Sequence, residues 1–111
     1  MHRTTAPSLA RTRTVAEVRA DIARHAAAWG VATTRASLLR SSLRTVDAEL
    51  ASIDQAVDAE EDGAEALWAH RPTVRAHSLR LAGLLLDAER TEHEELEHLR
   101  SYGVRHAAFG A

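Results

Sequence analysis

The residues with the most chemical potential stand together near the end of the chain, in Glu89 to His98 (ERTEHEELEH). Glu95 and His98 are three apart, so on a helix both side chains project from one face, as a carboxylate and an imidazole sharing a metal ion would. A closed site needs further ligands from other elements, and the chain holds a single Glu-x-x-His of this kind, which is read as part of a solvated, salt-bridged acidic face. Neither a metal nor any other cofactor is expected. His77 (RAHSLRLAG) is a second imidazole that could carry a proton or a phosphoryl group. The fourteen basic residues are all Arg, and Cys and Asn are absent. Schiff-base lysines, thiol nucleophiles, thiolate metal sites, disulfide frameworks and P-loops are thereby excluded.

Two segments resemble known functional modules. The stretch around His77 is similar to the phosphoacceptor segment of histidine phosphotransfer domains, with Leu79 and Arg80 in the matching hydrophobic and basic places. Leu81 stands where those domains carry the glycine that lets a partner approach the imidazole, so His77 is read as a helix-surface histidine. Residues 22–40 (IARHAAAWGVATTRASLLR) resemble a helix-turn-helix, with Gly30-Val31 as the turn. That resemblance implies a DNA-binding regulator using the basic N-terminal third, through Arg3, Arg11, Arg13, Arg19 and Arg24. The supposed recognition helix, however, carries Ala32, Ala36, Leu39 and Leu43 on the stripe that a partner helix would cover. DNA binding is therefore the alternative reading.

These residues must be positioned by helices. With 111 residues the chain suffices for one domain. Twenty-three of its residues are Ala and four are aromatic, which predicts a thin core between closely approaching helices. From Val15 the apolar positions step by three and four through Val18, Ile22, Trp29, Ala32, Ala36, Leu39, Leu43, Val46, Leu50, Ile53 and Val57. A 3.5-residue repeat held this long is a coiled-coil seam, and it predicts one helix over about 14–61. Gly30 costs roughly 1 kcal/mol inside a helix and could mark a break, but the unbroken heptad phase favours continuity. Asp62-Gly63 predicts a stop and Pro72-Thr73 a new start, which leaves 62–71 as a loop around Trp68 and places a second helix over about 72–101. Residues 1–13, with three Arg and no acid, read as a mobile basic tail, and 102–111 as a loose C-terminal tail. No apolar run approaches the roughly 18 residues of a membrane span, and the N-terminus lacks a signal peptide's apolar middle, so a cytoplasmic protein with no membrane contact is expected.

Charge blocks alternate along the chain: +6 over residues 1–45, −8 over 46–65, +3 over 66–86, −5 over 87–99 and +2 over 100–111. Folding the chain near Leu67, with paired residue numbers summing to about 133, sets each block against its opposite. Asp58 then meets Arg75, Asp54 meets Arg80, Arg44 meets Glu89, Arg40 meets Glu92 or Glu94, and Arg35 meets Glu97. The expectation is an all-α, coiled-coil-like antiparallel helical hairpin. Leu79, Leu81, Leu84, Leu85 and Leu86 surround more of the second helix than one partner can cover. Either Val15 to Trp29 folds over them after a break at Gly30, or another subunit does. With a continuous first helix the expectation is a homodimer forming a four-helix bundle, whose interface takes Val15, Val18, Ile22, Trp29 and the five leucines. Function is accordingly read as a non-enzymatic helical interaction module, an adaptor, assembly or regulatory subunit.

Overall fold

A computed structural model describes residues 12–104, and two helices account for nearly all of them. Helix α1 spans Val15–Asp58 and helix α2 spans Ala64–Ser101. They pack along their length as an antiparallel hairpin, and neither is long and apolar enough to cross a membrane. At its 44 residues α1 is about 66 Å long.

Each terminus has a local cause. Thr14 and Glu17 form a capping box: the Thr14 hydroxyl accepts from the Glu17 amide at 3.0 Å, and the Thr14 amide donates to Glu17 Oε1 at 2.9 Å. At the other end of α1, Glu61 N–H donates to Ala56 C=O at 3.0 Å and Glu60 N–H to Val57 C=O at 3.1 Å. This is a Schellman closure with Glu60 in the left-handed position, φ 53°. Helix α2 ends in the same closure with Gly103 there, at φ 78°. A Cβ in this conformation costs about 1–2 kcal/mol, so Glu60→Gly should stabilise the fold by about 1 kcal/mol after glycine's entropic cost. Thermal unfolding of the two proteins measures it.

Helix α1 runs through Gly30 without a break, as the heptad phase requires, and the turn expected there from the helix-turn-helix resemblance does not form. The connection is a correction. Residues 64–71 are helical, not loop, and Pro72 sits inside α2. Pro72 removes one N–H and frees the Trp68 carbonyl, but both residues are exposed, so water can satisfy that carbonyl. In exchange, α2 gains two turns that dock Arg71 on α1.

The earlier turn shifts the pairing. Thr33 meets Glu92, Asp47 meets Ser78 and Asp54 meets Arg71, so paired numbers sum to about 125 instead of 133. None of the five ion pairs expected from the charge blocks forms; Arg40 finds Glu89 and Asp54 finds Arg71. The seam itself holds, with every expected position from Val18 to Val57 buried or half-buried, whereas Val15 is exposed. Near the turn it is aliphatic, with Val46, Ile53, Val74 and Leu81 buried and Leu39, Leu43, Leu50 and Val57 packed around them. Toward the open end it narrows to Ala32, Ala36 and Ala88, with Trp29 the one large buried residue of α1 there.

Candidate functional site

Three places gather side chains that could act on something else: the exposed leucines of α2, the open end of the hairpin and its tip. In the leucine belt, Leu81 is buried and Leu84 and Leu85 are half-buried, whereas Leu79 and Leu86 are 62% and 63% exposed. Those two are one heptad apart and so share a line on the helix surface. On α1, Val31 and Leu38 repeat the same spacing, 71% and 65% exposed, along a shallow groove completed by Ala27, Gly30 and Thr34. Of the remaining expected interface residues, Trp29 is buried inside the hairpin and Val18 and Ile22 are half-buried there, so their apolar surface is largely spent on α2.

At the open end the seam turns polar. His25 Nδ1 lies 2.5 Å from Glu95 Oε2, and because a carboxylate only accepts, that nitrogen carries the hydrogen. The His98 ring stacks on His25 with centroids 4.4 Å apart. Beyond them, Tyr102 donates its hydroxyl hydrogen to Asp21, Arg13 donates to the Tyr102 oxygen at 2.8 Å, and Arg13 and Arg24 both pair with Asp21. Tyr102, expected in a loose tail, is thus the anchor of the α2 terminus. Glu95 and His98, read from the sequence as part of a solvated, salt-bridged acidic face, close on His25 instead. With Glu95 engaged by one imidazole and the second ring stacked on the first, the arrangement ties two helices together. Among the described residues no group of three or more His, Asp or Glu is placed to hold a metal ion. His77 stands exposed on α2.

Of the arginines weighed for DNA binding, Arg19 is exposed, Arg13 and Arg24 share Asp21, and Arg3 and Arg11 lie outside the described residues.

The tip could not have been found from the expected loop. Arg71 donates from Nε to Asp54 Oδ1 at 2.8 Å and from a terminal nitrogen to Oδ2 at 3.2 Å, and its guanidinium lies 5.6 Å from the Trp68 ring centroid. The guanidinium's hydrogen bonds hold the Asp54 carboxyl below its ordinary value of 3.8, and the same contact raises Arg71. A depressed folded-state value means the pair stabilises the fold above pH 3.8 and that this contribution is lost as pH falls through the folded value. Asp54→Asn should therefore lower the urea midpoint at neutral pH, and the difference from wild type should vanish in strong acid. The chain matches no family model, no curated protein and no solved structure.

Proposed function

We propose that the protein is a helical interaction module, not an enzyme, and that it pairs with a second copy of itself through the belt on α2. The observation that carries this reading is the exposure of Leu79 and Leu86 beside an unbroken α1. A fold-back of Val15 to Trp29 would have covered the belt within one chain, and a continuous helix cannot make it. Burying two leucines and their alanine neighbours against an identical stripe is the symmetric solution open to such a surface. The titratable side chains of the open end pair with each other across the seam, which supports a structural role for them.

Sedimentation equilibrium at micromolar concentration tests the proposal. At moderate salt, where contacts between charged groups are screened, wild type should sediment as a dimer and Leu79→Glu/Leu86→Glu as a monomer with unchanged helical circular dichroism, since both residues are exposed in the single chain. A monomeric wild type overturns it. With no turn at Gly30, charge is what is left to the DNA-binding reading, and two of its five arginines already share Asp21. Retention on duplex DNA that survives removal of residues 1–13 would replace the present reading.

A further inference from the structure

The hairpin tip presents an apolar shelf that α1 and α2 leave uncovered. Val57, Ala64 and Trp68 form it, with Glu65 at its edge. Trp68 is 55% exposed, yet it is not a loose side chain: Arg71 packs on its ring and is itself fixed by two hydrogen bonds to Asp54. A rigid, exposed aromatic of this kind contributes contact area at little entropic cost on binding.

The rim around the shelf selects the occupant. Asp58, Glu60, Glu61, Asp62 and Glu65 are all exposed, and none has an ion-pair partner among the described residues. The stretch 46–65 holds eight acids and no Arg, and Arg71, which packs on Trp68, is taken up by Asp54 and not by the rim. A fitting ligand brings an apolar side chain for Trp68 and cations on either side of it. Residues 1–12 (MHRTTAPSLART) have that pattern, with Pro7 and Leu9 between Arg3 and Arg11 and no acid. They leave the hairpin at Arg13, which is held at the open end by Asp21 and Tyr102. Twelve residues reach at most about 43 Å, whereas the tip lies a full α1 length, about 66 Å, away. The segment therefore cannot reach the tip of its own chain.

We propose that the shelf of Val57, Ala64 and Trp68 receives residues 1–12 of a second copy, Leu9 on the tryptophan and Arg3 and Arg11 on the rim carboxylates. Such a contact is head-to-tail, so it either closes reciprocally between two oppositely directed hairpins or strings hairpins together. It uses neither Leu79 nor Leu86 and stands whether or not the belt forms a dimer.

The test is a fluorescence-anisotropy titration of a labelled peptide of residues 1–13 with the full chain. Saturable binding at low salt is expected, weakened about tenfold or more at moderate salt because the rim charges are screened. Binding should be lost with Trp68→Ala, and separately with Glu60→Gln/Glu61→Gln/Asp62→Asn, while circular dichroism stays that of the hairpin. A peptide with Leu9→Ser should bind markedly more weakly. Absence of saturable binding at low salt overturns the proposal. So does binding that ignores either set of tip substitutions, or a Leu9→Ser peptide that binds equally well. The double belt variant Leu79→Glu/Leu86→Glu should retain the binding, which separates this contact from the belt.

Discussion

Ile53→Ala is expected to remove about 2–5 kcal/mol of stability, read as a fall in the urea midpoint with an unchanged slope. Ile53 is 2% exposed and stands among Val46, Val74 and Leu81, the only cluster of large buried aliphatics among the described residues. A two-helix hairpin has one layer of side chains between its backbones, so no second shell can move inward to refill the lost volume. The helices could approach each other only by displacing Val46 and Val74 as well, and the cavity cost is retained. Against a typical total of about 5–15 kcal/mol this is a large share, and a chain with so thin a core has little in reserve. Ile53→Val, which removes one methylene, should cost about 0.5–1.5 kcal/mol. If Ile53→Ala cost under about 1 kcal/mol, the seam near the turn would not be the source of stability.

The seam and the hairpin were legible because a heptad repeat is a local signal, readable wherever the sequence is long enough to show it. The pairing register was not, and the reason lies in the same repeat. Sliding one helix past the other by about seven residues returns every seam position to a seam position, so the apolar pattern cannot distinguish paired sums of about 133 from about 125. Only the turn and the charges choose between them, and both misled. Pro72 has the preferred place of a helix-opening residue, yet it lies inside α2 on the exposed side where its missing N–H costs least. The left-handed residue that ends α1 is Glu60, a type that gives no sign of such a conformation, while Gly63 serves to open α2. The turn therefore comes earlier, and the charge blocks settle for Arg40 with Glu89 and Arg71 with Asp54. The polar knot of Asp21, Arg13 and Tyr102 joins residues 81 to 89 apart in sequence, and no local pattern could announce it.

The two ends of the hairpin are consequently held by different physics. Near the turn the chain connection and the aliphatic cluster act together. Near the open end there is no covalent link between helices, Ala replaces Leu in the seam, and hydrogen-bonded and ion-paired side chains take over around His25 and Asp21. His25, Glu95 and Asp21 are each less than a fifth exposed, so the attraction in these pairs is offset by the desolvation of their charges, and they position the helices more than they hold them. The buried large apolar side chains of that half are Trp29 and Leu99, which is 0% exposed, with Val18 and Ile22 half-buried there.

Trp29→Ala is accordingly expected to cost about 3–5 kcal/mol, among the largest effects of any single substitution in the chain. Trp29 is 8% exposed, and the seam residues that follow it on α1, Ala32 and Ala36, have no methylene to offer the space it would vacate. Ala88, buried on the facing helix, has none either. The second tryptophan is the internal control: Trp68 is 55% exposed, and removing it should change stability by no more than about 1 kcal/mol. Fluorescence separates the two, because the buried indole of Trp29 should emit to the blue of the exposed Trp68, so that Trp68→Ala leaves a blue-shifted spectrum and Trp29→Ala a water-like one. Equal costs for the two substitutions, or a red emission from Trp29 alone, would mean that α1 and α2 are not packed beyond Leu39. With normal helicity by circular dichroism, that outcome would leave α1 a helix whose N-terminal half is free to find a different partner.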